Sequence, residues 1–452
     1  MSLKKICGFS FSLFFALSLC SDVFSEDSLT NEQLLTELRD LKEIIHKQNA
    51  RIEELEKKVS LQQGKIESHT QIIEKEGLPD VSGRMKHELE RLKNIGGLEI
   101  GAGITLVGQG TPGANNADAT DSKDSRFDGS WSADIEVAKK FDDYGMAFIL
   151  MQAGQGDALE SELSVFSNVN YDAWSTGARV EIAEAWYEHY LFNKQFSITG
   201  GKIDATNYID TNIFANDETT QFLGRIFGNS AVIDWPDDNA FGFRGYLAPE
   251  FIKFVELETI YMDERGDWEN LFDNPFVATQ LNFMPAKAFG YDEDMWGGNY
   301  RVLFWYNGAP HAKVKDTGVI ERGNAGFGFS YDQKITDIYG VFGRFGWADP
   351  QKNDLAYDWS LGGQMIGRYW GRESDVAAIA IGQVIPGKPY YDVNEFHNTE
   401  THFEAYYSLK LNEHLTITPD TQVIWDPNGG GRGDHKDRDT IFVYGMRGQI
   451  DF

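Results

Sequence analysis

Cysteine is nearly absent: the 452 residues contain two, Cys7 and Cys20, both within the first 25 positions. Met1 to Ser25 has the layout of a secretory signal, with Lys4 and Lys5, an apolar core from Ile6 to Leu19, and Val23-Phe24-Ser25 as cleavage site. Cys20 also suits a lipoprotein signal, but Leu19 before it is bulky where such signals carry a small residue. Signal removal leaves no thiol, which excludes disulfides and thiolate metal sites. Basic charge is scarce as well. Against 70 Asp and Glu stand 41 Lys and Arg, a formal net charge of −29, near −30 after Lys4, Lys5 and Asp22 leave. No basic stripe occurs, so nucleic acid is excluded as a partner.

Long apolar runs are missing too. Beyond the signal none approaches the ~18 residues of a membrane helix. That does not exclude a transmembrane barrel, whose strands show only alternate residues to lipid and average out as polar. Catalytic signatures are lacking: there is no G-x-S-x-G, H-E-x-x-H or G-x-x-x-x-G-K-[ST]. Asp/Glu pairs carry no information in so acidic a chain. The expectation is a protein that is not an enzyme and has no cofactor or metal. The acidic loops have the ligand type for Ca²⁺, but no twelve-residue EF pattern accompanies them. Arg432-Gly433-Asp434 matches an adhesion tripeptide and reads as chance in a glycine-rich loop.

Between residues 26 and 76 the chain reads as an α-helical coiled coil. Leu34, Leu38, Leu41, Ile45, Gln48, Ile52, Leu55, Val59, Gln62, Ile66, His69 and Ile73 keep an unbroken 4-3 spacing. Thr30 with Gln33 starts the helix as a capping box, and Gly77 with Pro79 stops it. The seam is about 60 Å long at 1.5 Å per residue. β-Branched residues at a with Leu at d favour two strands, while polar Gln48, Gln62 and His69 at d weaken that preference. His69 reads as a solvated seam residue. Residues 77–95 form a linker.

From residue 96 to 452 the period changes to two. Leu98, Ile100, Ala102, Ile104 and Leu106 share one face, and Glu99, Gly101, Gly103, Thr105 and Gln109 the other. Trp131, Ala133, Ile135 and Val137 alternate with Ser130, Ser132, Asp134 and Glu136; Ala183, Ala185, Tyr187 and Leu191 with Glu184, Trp186 and Glu188. Val255, Leu257, Thr259 and Tyr261 oppose Glu256 and Glu258. Phe442, Tyr444, Met446, Ile450 and terminal Phe452 share a face, like the closing strand of an outer-membrane barrel. Short turns (142–145, 247–250, 412–414) alternate with long loops such as Arg265 to Gly298 and Asp426 to Arg438. The 357 residues, at about 22 per strand and connection, give roughly sixteen strands. The fold class is thus an all-β transmembrane barrel of about 16 antiparallel strands, preceded by the coiled coil. A barrel of that size leaves an aqueous channel.

One stretch, Gly200 to Asp238, fits neither period. From Asp204 on it carries seven carboxylates (Asp204, Asp210, Asp217, Glu218, Asp234, Asp237, Asp238) and one fixed cation, Arg225. Phe214, Phe222, Leu223, Ile226, Phe227 and Trp235 give it apolar surface to bury, so an ordered loop folded into the lumen is expected. Its G-K-I-D and D-T-N-x-F-A-N-D-E-T-T-Q-F-L segments resemble the signature region of the carbohydrate-selective, OprB-type outer-membrane porins. A second resemblance lies in EAYYSLKLNEHLTITPDTQVIWDPNG, Glu404 to Gly429. Arg447 stands where a glycine is commonest in the terminal strand of such barrels.

The resemblance implies passive diffusion of sugars or similar small neutral solutes through an outer-membrane channel of a Gram-negative bacterium. It also implies a homotrimer, with the coiled coil in the periplasm as a trimerisation stalk, a tether to the cell wall or a spacer. The candidate constriction residues are Asp204, Asp210, Asp217, Glu218, Gln221, Arg225, Trp235, Glu184 and Trp186. Carboxylates and amides exchange hydrogen bonds with hydroxyls, and Trp186 or Trp235 offers a flat face to a sugar ring. Each has a plainer reading: Asp204, Asp210 and Asp217 as turn caps or wall contacts, Trp235 as packing, Arg225 as an ion-pair partner. Alternatives are a phosphate- or anion-selective porin, which the 7:1 charge ratio of the loop disfavours, a general porin, and a stalked protein that tethers the envelope.

Overall fold

In the computed structural model, described over residues 97–114, 125–173, 178–394, 398–430 and 440–452, the chain forms a closed antiparallel barrel. The signal, coiled-coil and linker readings lie outside the described residues. The strands follow one another around the barrel in sequence order. They are β1 (Leu98–Thr111), β2 (Arg126–Phe141), β3 (Gly145–Gln155), β4 (Val180–Leu191), β5 (Phe196–Ile203), β6 (Ala240–Leu247), β7 (Val255–Asp263) and β8 (Pro275–Phe283). Then come β9 (Gly298–Ala312), β10 (Ile320–Lys334), β11 (Tyr339–Ala348), β12 (Leu355–Gly367), β13 (Arg372–Pro386), β14 (Glu400–Lys410), β15 (Leu415–Trp425) and β16 (Thr440–Asp451). β16 pairs back onto β1 from Gly103↔Asp451 to Gly110↔Tyr444, which removes both sheet edges.

The period-two pattern sets which side chains meet hydrocarbon. Ile100, Leu106, Ile135, Phe442, Tyr444 and Met446 are exposed on the outside, whereas Thr105, Gln109, Ser130, Ser132 and Arg447 are buried within. The interior is accordingly polar, with apolar clusters only where loops pack against the wall. Strand β4 departs from strict alternation. Leu150 pairs with Glu184 and Met151 with Ile182, so Ala183 is an extra residue in a bulge. Ile182 faces out and Ala183 turns inward beside Glu184. The expected outward position of Ala183 is thereby corrected.

On the rim where β1 begins, connections are mostly tight, as at 142–144, 192–195, 335–338, 368–371 and 411–414. The opposite rim carries the long ones, including 156–179, 204–239 and 426–439. The stretch from Arg265 to Gly298, expected as one long loop, contains β8. Its second half, 284–297, lies on the short-turn rim and holds two one-turn helices, Pro285–Phe289 and Glu293–Trp296. Alternation in PFVATQLNF was masked because the inward positions Phe276 and Ala278 are apolar and pack on the inner loop.

Ile379 is outward at the middle of β13 and 59% exposed. Ile379→Arg is expected to destabilise the folded barrel by about 2–4 kcal/mol in lipid vesicles, measured by reversible denaturant titration. A change under about 0.5 kcal/mol would place that face away from lipid.

Candidate functional site

Residues 204–239 leave β5, cross the lumen and return to β6. A loop inside a barrel has backbone donors and acceptors that neither a strand ladder nor bulk water satisfies. Inward side chains of the wall supply the partners. Arg344 of β11 reaches the carbonyls of Asp210 at 3.0 Å and Ala215 at 2.6 Å, and also that of Phe227. Its guanidinium lies 3.2 Å from the Asp210 carboxylate, which in turn accepts from Ser230 N at 2.7 Å. Asp358 of β12 accepts from Ser230 Oγ at 2.9 Å and Ala231 N at 2.6 Å. Glu404 of β14 accepts from Leu223 N at 2.7 Å and Gly224 N at 2.8 Å. A Cβ at Gly224 would sit 2.8 Å from that carboxylate, so the close approach needs glycine. Arg447 of β16 donates to the carbonyls of Glu218 at 2.6 Å and Gln221 at 2.8 Å. Gln280 of β8 and Asn307 of β9 complete the series, accepting from Asp210 N and donating to Asp234 O. Apolar contact reinforces it: Phe222 lies 4.9 Å from Tyr406 and 5.6 Å from Phe342, ring centre to ring centre.

A second loop, described over 156–173, also turns inward. Leu159, Leu163 and Val169 pack on Ile424, Ile441 and Val443, and Glu400 accepts from Phe166 N and Ser167 N. Gln109 and Gln422 both donate to Val169 O at 2.9 Å, and Tyr171 N donates to Leu223 O at 2.8 Å. The sequence reading missed this loop. Its signal was the run of Leu159, Leu163, Val165 and Val169 inside a segment without a strand pattern.

The loops leave a cavity of about 540 Å³ against the wall of β2, β3 and β4. Among the candidates, Glu184, Asp204, Glu218, Arg225 and Trp235 line it. Asp210 does not; it is buried against Arg344. Asp217 caps its own turn, accepting from Thr219 N at 2.9 Å and Thr219 Oγ1 at 2.6 Å. Gln221 staples the loop through Asn216 N and Ile213 O. Trp186 is stacked on Phe148 at 5.1 Å and gives its N–H to Glu184 at 3.1 Å. Asp134, Asp172 and Glu181 join the lining without having been expected, the last two from outside any clear motif. With Asp237 and Asp238, eight carboxylates face the single guanidinium of Arg225, which sits 5.4 Å over the Tyr171 ring.

Crowding and burial act on the loop carboxyls. Burial pushes Glu218 up to about 8, with the charges of Asp217 and Asp172 adding to it. Burial likewise pushes Asp172 up to about 7, opposed by its bond from Ser132 and aided by Asp134. Asp204 is raised by burial against the bonds from Thr206. Five polar atoms in the lining have no protein partner: Asp134 Oδ1, Asp172 Oδ2, Arg225 Nε, Asn229 Nδ2 and Trp235 Nε1. All five atoms are packed within the wall of the cavity, closed to its open space.

Removing Arg344 leaves the Asp210 carboxylate buried without its counter-charge. Arg344→Met is expected to cost about 3–5 kcal/mol in chemical denaturation, and adding Asp210→Asn to recover much of it. Equal losses in the single and double variants would show that the pair is not coupled.

Comparison with known proteins gives the family. The model of the carbohydrate-selective porin, OprB family, matches residues 118–452. A protein of Aquifex aeolicus (strain VF5), described as uncharacterized, is 27% identical over 235 residues; the match spans 52% of this chain and 60% of that relative. Among solved structures, the high-pH structure of Pseudomonas putida OprB has a TM-score of 0.67 at 17% identity, covering 82% of this chain and 97% of that one. The low-pH structure of the same protein has a TM-score of 0.49 at 13% identity, covering 83% and 98%. With the family model matched over most of its length, and a closed barrel of sixteen strands, the chain belongs to the OprB family of carbohydrate-selective porins.

Proposed function

We propose that the protein is an outer-membrane channel through which sugars and similar small neutral solutes diffuse passively, narrowed by the inward loop 204–239. The observation that carries this reading is the lining of the cavity beside β2, β3 and β4. Its amides, hydroxyls and carboxylates (Gln152, Thr206, Asn207, Thr219, Asp237, Asn239) suit hydroxyl groups, which donate and accept at once. Family membership supports the same solute class and a Gram-negative outer membrane. In this reading Glu184, Asp204, Glu218, Arg225 and Trp235 touch the solute, whereas Asp210, Asp217, Gln221 and Trp186 shape the loop and wall around it. Assembly as a homotrimer, with residues 26–76 as a periplasmic stalk that can reach the cell wall, belongs to the same proposal; the stalk rests on the heptads and the trimer on the family resemblance. An anion-selective channel is disfavoured by eight lining carboxylates against one Arg.

Swelling of proteoliposomes in a panel of sugars tests the reading: uptake of neutral sugars faster than of sugar phosphates of similar size supports it, and exclusion of all sugars overturns it. Titration gives a second test. A carboxyl raised by burial is neutral below its pKa, so charge is lost first at Glu218 and then at Asp172 as pH falls through about 8 and about 7. The cation preference, read from reversal potentials in planar bilayers, is expected to fall over that range. Glu218→Gln is expected to remove the upper step. A flat profile in both proteins would take these carboxyls off the permeation path.

A further inference from the structure

The one guanidinium in the cavity lining is not held by any of the carboxylates around it. Among the described residues the Arg225 side chain makes no ion pair and donates no hydrogen bond; it lies on the face of Tyr171, 5.4 Å from the ring centre. Its Nε is enclosed in the wall, which leaves the Nη1 and Nη2 edge as the part of the fork open to the cavity.

Tyr171 belongs to the other inward loop, and the two loops are laced together on both sides of Arg225. Tyr171 N donates to Leu223 O at 2.8 Å, and Ile226 N to Ser167 O at 3.4 Å. The phenol donates to Asn229 Oδ1 at 3.3 Å, and a Cβ at Gly228 would stand 3.2 Å from the ring. The ring is thus fixed at its backbone, its edge and its hydroxyl. Burial pushes the phenol up to about 12, so at neutral pH it is uncharged and attracts the guanidinium through its π face. An aromatic face binds a cation without occupying its N–H donors, whereas a carboxylate takes them in pairs. The arginine side chain has many rotamers, so without the ring it would swing onto a lining carboxylate and lose those donors to it.

We propose that Tyr171 is a positioning residue for solute recognition: its ring holds Arg225 clear of the carboxylates and turns the Nη edge toward solute hydroxyls. Neighbouring hydroxyls on a sugar ring suit such a fork, since two parallel N–H groups meet two oxygens at once. The inference rests on the sugar-channel reading above and deepens it, giving the loop 156–173 a part in solute recognition.

The test is glucose block of single channels of the full-length protein in planar bilayers. Tyr171→Leu removes the ring and is expected to raise the half-blocking glucose concentration about tenfold. Tyr171→Phe keeps the ring without its hydroxyl and is expected to stay within about twofold of the unmodified protein. Arg225→Met removes the fork itself, and in that background Tyr171→Leu is expected to add nothing. A ring that only props the loop would weaken block equally in both backgrounds, which overturns the proposal. Block of Tyr171→Leu channels at the unmodified concentration overturns it too, and in both cases the sugar channel stands. If glucose neither enters nor blocks the unmodified protein, the channel reading itself falls. Unchanged sugar-free conductance shows that each variant is folded; where Tyr171→Leu does not insert, Tyr171→Met, unbranched and able to fill the same space, takes its place.

Discussion

Everything inside this barrel depends on satisfying the backbone of chain that has left the sheet. Two loops, 156–173 and 204–239, run through a space where their N–H and C=O groups have no ladder to join. The wall answers with charge. Arg344 and Arg447 collect carbonyls, while Asp358, Glu400 and Glu404 collect amides. Charge-assisted bonds of this kind are stronger than neutral ones, and each also keeps a buried charge from standing alone. The many acidic and basic residues on inward strand faces are thus fasteners before they are filters.

The fasteners are unevenly distributed, and the passage follows from that. The charged ones named above stand on β11, β12, β14 and β16, while β1, β2 and β4 add Gln109, Ser132 and Glu184. The wall of β2, β3 and β4 borders the open cavity, bridged to the loops through Ser132 and Glu184. The bulge at Ala183 sharpens the effect by turning both Ala183 and Glu184 toward the lumen. Below the loop, Arg244 holds Glu188 at 2.6 Å and lies 4.6 Å over the Tyr208 ring, so charge in the lower lumen is neutralised within the wall. Eight carboxylates border the cavity.

The sequence showed the barrel well because one physical rule, hydrocarbon outside and water inside, acts on every strand. It failed where a second rule intervened. In β8 the inward Phe276 and Ala278 pack on the loop, which erased the polar half of the alternation and merged the strand into a long loop. At Ala183 one inserted residue shifted the phase, which no periodic pattern can foresee. The inward loop itself was legible, since acidic residues mixed with Phe214, Phe222 and Trp235 fit neither solvent nor sheet. Its individual carboxylates were not. Asp204 and Glu218 line the cavity while Asp210 is buried and Asp217 caps a turn, a distinction made by partners up to 229 positions away. Arg447 looked like a departure from the terminal-strand pattern and is instead a fastener of the loop.

The central claim is that the wall from β8 to β16 is covered by the loop, whereas the wall of β2 to β4 borders the open cavity. Cysteine accessibility tests it directly, by single-channel recording of Gln152→Cys on β3 and Ser330→Cys on β10 before and after a charged thiol reagent. Gln152 lines the cavity, whereas Ser330 is covered, donating to Thr211 O at 2.9 Å. Modification is expected to change conductance at position 152 and leave position 330 untouched. Rapid modification at 330 with none at 152 would contradict the account.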